Sequence, residues 1–454
     1  MRQASAVWAG KAVGALSRLS GRGAGATFPG DVARAIDPGV LRKLSRDLRA
    51  GAVLITGTNG KTTTSRLVSA LLEGLPATVV ANRTGANLIW GLTAAALGAA
   101  GWSGRLKADW AVFEVDEATL PRAVEEVRPR AVLVMNLFRD QLDRYGELET
   151  TARTIAKALE ALPPGAKAVL NADDPRVGEI GLGLSRPPVW YGFQDPAAGD
   201  RELPHAADAT TCPRCGATLH FTSVYVGHDG VYACPNGDFA RPDPEVAGTG
   251  VGLEGLERVR LSVSGQELEA QLGGLYNAYN LLAAFALGKA LGLKPAYMAE
   301  RLRTVAAAFG RQERFERGGR RLTLLLAKNP TGFNEVLKES LELAGARHFL
   351  IGLNDRLADG EDVSWIWDVD FERLAGRAAT VQPAGIRAAD LAVRLKYAGV
   401  RALAPVEAVG AALDALLRNV PAGEDVYLLC TYTAMLGLRA ELVRRGWLKP
   451  YWKD

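Results

Sequence analysis

One junction constrains this chain more than any other. The apolar run Ala52-Val53-Leu54-Ile55-Thr56 leads into Gly57-Thr58-Asn59-Gly60-Lys61-Thr62-Thr63-Thr64, and a helical pattern follows. Glycines there let successive N–H groups turn inward on phosphate oxygens, and the helix N-terminus adds a favourable dipole. Lys61 can neutralise β- and γ-phosphates, and the Thr62 hydroxyl can hold Mg²⁺. Ile55 stands where a full Walker loop has its first glycine. The segment Gly57, Thr58, Asn59, Gly60, Lys61, Thr62 and Thr63 therefore reads as a loop for ATP or a close analogue.

The surrounding pattern fits that junction. Short apolar runs recur at Thr78–Val80, Trp110–Val115, Ala131–Met135 and Ala168–Leu170, separated by helical segments such as Glu149–Leu162. Strands alternating with helices predict an α/β fold whose parallel sheet is covered on both faces. Polar clusters follow the strands, where an open parallel sheet builds its site. Glu114, Asp116 and Glu117 close one strand, and Asn171-Ala172-Asp173-Asp174-Pro175 closes another. The acidic trio can ligate Mg²⁺ or simply cap the next helix.

A chain of 454 residues predicts two to four domains. The divisions expected are a basic helical lead-in over 1–50, an ATP-binding domain over 51–318 and a second Rossmann-like α/β domain over 319–454. Within the second of these, 205–245 forms a Cys-rich insertion, and a long helix is expected after Asn280. Strands are predicted at Val259–Val263, Glu267–Gln271, Leu322–Leu326, His348–Leu353, Thr380–Gln382 and Val426–Cys430. The charged, Gly-rich segment Gly310–Arg321 marks the boundary between the α/β units.

Composition narrows the function classes. Hydrophobic residues at 48% and charged residues at 23% exclude a largely disordered chain. The apolar stretch Leu88–Trp102 is too short to span a bilayer, and Lys11 and Arg18 interrupt any secretory signal. A cytoplasmic protein is expected. Residues 1–50 carry nine Lys/Arg against three Asp/Glu, a balance of +6, which leaves −2 for the rest of a chain of net charge +4. That is a poor footprint for nucleic acid. It suits an anionic membrane surface or phosphates, or it is a plain solvated helix face.

Cys212-Pro213-Arg214-Cys215 and, after 18 intervening residues, Cys234 have zinc-ribbon spacing. Gly237 stands where a fourth cysteine would complete the set; Asp238, His220 or His228 could take that place, or the knuckle packs without metal. Cys430 lacks the Gly-flanked elbow of a glutaminase nucleophile and reads as a buried thiol.

Together these motifs carry a resemblance. The phosphate loop, Glu114, Asn136-Leu137 with Asp140 and Asp143, Asn171–Pro175, Gly274–Ala284 and Gly310-Arg311-Gln312-Glu313 are similar to the Mur ligase superfamily, in its order. The short segment before the phosphate loop leaves no room for the α/β domain that holds UDP-linked precursors. The cysteine ribbon, Leu326–Gly332 and Gly352–Asp368 resemble the MurT family in particular.

That resemblance implies an ATP-dependent subunit that pairs with a GatD-type glutaminase. It would amidate the α-carboxyl of D-glutamate in lipid II through an acyl phosphate. It implies that Lys61 and Thr62 hold phosphates and Mg²⁺, that Glu114 is a magnesium ligand, and that Asn280 contacts adenine. Arg311 and Asp355 would reach the nucleotide. Gln141 replaces a metal-binding His, which puts a second Mg²⁺ in doubt. Asp362, with Asp359 as fallback, would orient the partner's His; the alternative for Asp362 is a helix cap before Trp365–Trp367, which serve an interface or the core. Two rivals stand: a stand-alone Mur or folylpolyglutamate-type ligase, active without a glutaminase, and a zinc-ribbon nucleic-acid-binding ATPase, which would bind DNA or RNA with steep salt dependence.

Overall fold

The computed structural model describes residues 2–19, 27–82, 85–139, 148–305, 312–342 and 345–449. Strands β1 (Gly51–Thr56), β2 (Val79–Ala81), β3 (Trp110–Glu114), β4 (Ala131–Val134), β5 (Lys167–Asn171) and β6 (Val189–Phe193) come first. A separate antiparallel ribbon, β7 (His220–Val226) and β8 (Asp229–Ala233), follows, and then β9 (Val246–Glu254), β10 (Arg258–Val263) and β11 (Gln266–Ala270). All except the ribbon form one nine-stranded sheet in the order β11-β10-β9-β6-β5-β4-β1-β3-β2. It is parallel from β2 to β9 and antiparallel beyond.

Alternation along β1 explains the two-faced core. Val53 and Ile55 pack with helices Lys61–Glu73, Leu275–Ala290 and Pro295–Arg303. Ala52 and Leu54 pack on the opposite face. That second face includes the helices Arg2–Leu19, Phe28–Ile36 and Val40–Ser45, whose Ala6, Val7, Ala33, Val40, Leu41 and Leu44 are buried in it. One of their cations is also lost to solvent: Arg34 is buried in a bidentate pair with Glu126 at 2.8 and 2.7 Å.

The second sheet holds β12 (Gln312–Arg317), β13 (Arg320–Leu326), β14 (Arg347–Gly352), β15 (Thr380–Ala384) and β16 (Asp425–Cys430) in the order β12-β13-β16-β14-β15. From Gln312 on, the charged segment expected as a boundary is thus a strand and hairpin. A division at 318/319 would cut the β12–β13 turn, whose Gly318 and Gly319 have φ of 58° and 71°. Charge is no obstacle there, because β12 is an edge strand with water on one side. The helix expected after Asn280 begins earlier, at Leu275, and places Asn280 inside it.

Candidate active site

The phosphate loop sits between β1 and the helix Lys61–Glu73, as its sequence requires. Gly57 and Gly60 have φ of 128° and 87°, conformations that favour glycine. A side chain at Gly60 would also collide: its Cβ would lie 2.1 Å from Asn280 Oδ1. The loop is braced from β4, since Asn59 N donates to Asn136 Oδ1 at 2.8 Å and Thr58 N donates to Asn136 O at 3.0 Å. Thr58 Oγ1 accepts from Phe138 N at 3.0 Å.

Lys61 is buried and donates to Gly57 O, to Thr58 O at 3.3 Å and to Glu117 Oε1 at 3.2 Å. Thr62 Oγ1 donates to Glu114 Oε2 at 2.7 Å. A hydroxyl and a carboxylate side by side beyond a phosphate loop are hard oxygen donors, suited to Mg²⁺. Asn82 fixes the end of β3 by donating to Glu114 O at 2.8 Å and accepting from Glu114 N at 2.9 Å.

Above the loop lies an open cleft of about 900 Å³ between the two sheets' units, lined by Asn59, Gly60, Thr63, Asn136 and Asn280 on one side and Thr331 and Glu335 on the other. Asn280 Oδ1 accepts from Thr64 Oγ1 at 3.3 Å, and its Nδ2 donates to Asn277 Oδ1 at 2.9 Å. Hydrogen bonds also tie the units together. Asn329 Nδ2 donates to Asn59 Oδ1 at 3.0 Å, and Leu275 N donates to Glu339 Oε1 at 2.9 Å. Burial pushes the Glu335 carboxyl up to about 7, against the opposing pull of Lys338.

The other expected residues scatter. Asp355 is held by Arg387, whose Nε donates to its Oδ2 at 2.7 Å, and is not part of the cleft lining. Arg311 and Gln141 lie outside the described residues. Asp362 is exposed on the second unit; its Oδ1 accepts from Ser364 N at 2.8 Å, which lowers its pKa, and it stands one residue before Val363, the N-cap of the 3-10 turn Ser364–Asp368. Asp359 is buried with both oxygens bonded to Thr433, leaving Asp362 the accessible carboxylate of the two. Trp367 is exposed whereas Trp365 packs on Phe333 at 5.4 Å. Cys430 is buried, which pushes its thiol up to about 12.

The sulfur atoms of Cys212, Cys215 and Cys234 all lie within 4.8 Å of one another, with Cys215 and Cys234 at 3.4 Å. Three converging thiols fit a zinc ion. Of the three candidates for a fourth ligand, Asp238 bonds Cys215, whereas His220 is exposed on β7. His228 is elsewhere and buried: its Nδ1 accepts from Asp208 N at 3.2 Å, and its Nε2 faces Asp174 at 3.4 Å. Sequence reasoning assigned no cleft role to Asn136 or Glu335, both of which line it. Only the position of Asn136 just beyond a strand signalled it.

The Mur ligase middle domain model matches residues 55–212, and the MurT ligase C-terminal model matches residues 326–435. The fold agrees, since a pseudomurein peptide ligase type C from Methanothermus fervidus superposes with a TM-score of 0.69 at 22% identity, over 88% of this chain and 79% of that one. Loop and fold together define the class of Mur ligases. Within it, the lipid II isoglutaminyl synthase (glutamine-hydrolyzing) subunit MurT of Streptococcus pneumoniae (strain ATCC BAA-255 / R6) is 35% identical over 95% of this chain and 94% of its own. The same subunit from Staphylococcus aureus (strain N315) is 34% identical, over 88% and 89%. The chain belongs to the MurT family.

Proposed function

We propose that this chain is the ATP-using subunit of a lipid II isoglutaminyl synthase, converting the α-carboxyl of D-glutamate in the stem peptide to a carboxamide. The observation that carries the reading is the likeness to MurT subunits along nearly the whole of both chains. A Mur or folylpolyglutamate-type ligase acting alone would not share it.

A carboxylate is a poor electrophile, so the chemistry has two stages. A carboxylate oxygen attacks the γ-phosphorus and ADP leaves; ammonia then attacks the acyl carbon and phosphate leaves, and the proton that the nitrogen loses ends on that phosphate. Such steps depend on positioning and charge neutralisation. Gly57–Thr63 bind the phosphates, and Lys61 exchanges Glu117 for them. Thr62 and Glu114 hold Mg²⁺, which when bound offsets the phosphate charge. Asn280 faces the base from the cleft wall.

Ammonia comes from a GatD-type glutaminase whose histidine Asp362 orients. Cys212, Cys215 and Cys234 hold a structural zinc, with Asp238 as the fourth donor. Asp355 and Arg311 contact the nucleotide when the units close. The place of work is the inner membrane face, where the anchor of lipid II lies; no helix among the described residues is long and apolar enough to cross a membrane.

The test is incubation with Mg-ATP, glutamine and lipid II, with and without the glutaminase, and mass analysis of the stem peptide. Carboxamide formed only with the partner or with added ammonium supports the reading. Unchanged lipid II in the presence of ammonium and an active partner overturns the substrate.

A further inference from the structure

The helix Arg2–Leu19 shows apolar residues to solvent as well as to the core. It buries Ala6, Val7, Gly10 and Gly14, while Trp8, Ala12, Ala15 and Leu16 are exposed at the i, i+4, i+7, i+8 spacing of a single apolar stripe. A helix of a water-soluble surface carries its polar residues there. Trp8 is 51% exposed and Leu16 65%. The loop Gly101–Lys107 extends the stripe: Trp102 is 73% exposed, and Trp8 Nε1 donates to Trp102 O at 2.8 Å.

Cations frame these side chains. Lys11 Nζ lies 5.9 Å from the Trp102 ring and donates to Gly98 O at 3.4 Å. Arg2 at the start of the helix and Arg105 and Lys107 in the loop are exposed as well. Neither 2–19 nor 101–107 contains an Asp or Glu. An apolar stripe with tryptophans and neighbouring cations matches the boundary of an anionic bilayer, where indoles settle at headgroup level and cations meet lipid phosphates.

We infer that this helix face and the Trp102 loop form a docking surface for an anionic membrane, with Trp8, Leu16 and Trp102 entering the headgroup layer. The surface belongs to the face of the nine-stranded sheet that carries the N-terminal helices, opposite the helix that follows the phosphate loop. The inference rests on the proposed place of work for its location, and on the geometry for its residues.

The full-length chain with its glutaminase would be floated with vesicles of phosphatidylcholine alone and of phosphatidylcholine with phosphatidylglycerol. Binding is expected to the second, weakening with salt. The double variant Trp8→Ser, Trp102→Ser is expected to bind about tenfold more weakly with an unchanged melting temperature. Arg105→Gln with Lys107→Gln should reduce the preference for phosphatidylglycerol. Failure of the parent protein to bind anionic vesicles overturns the surface, as does equal binding by the tryptophan variant or occupation of the patch by a second copy. Amidation of detergent-dispersed lipid II, run on the same samples, separates the two readings: absent binding with intact amidation removes the docking surface alone.

Discussion

The Thr62 hydroxyl donates a 2.7 Å hydrogen bond to Glu114 Oε2, joining the first turn after the phosphate loop to the end of the adjacent strand. Two oxygens from separate elements are thereby brought to one point beside the buried ammonium of Lys61.

If that point holds Mg²⁺, Glu114→Gln lowers the amidation rate by about 10²–10³-fold. Part of the loss should return when Mg²⁺ is raised, because a weaker ligand is compensated by mass action. Lys61→Ala should lose as much and recover nothing. Rates measured across a magnesium titration distinguish the two; equal curves would remove Glu114 from the metal site.

Gly60 has both a left-handed backbone and Asn280 pressed against it. Gly60→Ala is expected to cost about 1–3 kcal/mol of stability from backbone strain alone. Calorimetry reads that cost. Nucleotide binding should weaken with it, since Asn280 must move to admit the methyl group.

Metal analysis of the purified chain should find one zinc, and Cys234→Ser should lose it together with roughly 5 °C or more in melting temperature. Asp238→Asn should lower occupancy less severely, because three thiolates remain. A parent protein free of zinc would return the knuckle to a packing role.

Glu335 supplies a pH dependence. Its folded-state pKa of about 7 lies above its ordinary value of 4.5, so the folded state binds the proton more tightly than the unfolded chain. Stability therefore falls as pH rises from about 4.5 to about 7, by about 3 kcal/mol over the whole window. Glu335→Gln, which cannot ionise, should flatten this dependence and melt above the parent at pH 8. Parallel melting curves for the two proteins across pH 5–8 would contradict it.

Asp362→Asn separates the two activities. Glutamine-driven amidation should drop by about 10²-fold or more, by the logic of a carboxylate that orients a histidine, whereas ammonium-driven amidation should persist. Loss of both would place Asp362 in the ligase chemistry itself.

What could be read in advance was local. β1, the glycine turn and Lys61-Thr62 are contiguous, and their chemistry follows from neighbours in the chain. β6 escaped because Gly192 interrupts a short run, and β9 because its outer half is glycine-rich and exposed. The strand Gln312–Arg317 escaped for a different reason: alternating charge at a sheet edge looks like a linker when no partner strand is visible. Asn59 and Asn329 are 270 positions apart, so their pairing follows from the packing of two sheets and from no pattern in either segment. His228 was a candidate zinc ligand by proximity in sequence, yet the ribbon turn points it inward, away from the thiols, to Asp174.

The helix Leu275–Ala290 has its first amide closed by Glu339 of the other unit, while Asn280, little more than a turn further on, rests against Gly60. A helix finished by a side chain from across the cleft is complete only while the cleft is shut. Parting of the units and fraying of Leu275–Asn277 are then a single event, while the rest of the rod, packed in one core with β1, keeps Asn280 against the phosphate loop. Opening for product release would in this way loosen one helical turn and leave the phosphate loop's backstop in place. Amide exchange at this one helical turn would keep time with the turnover cycle.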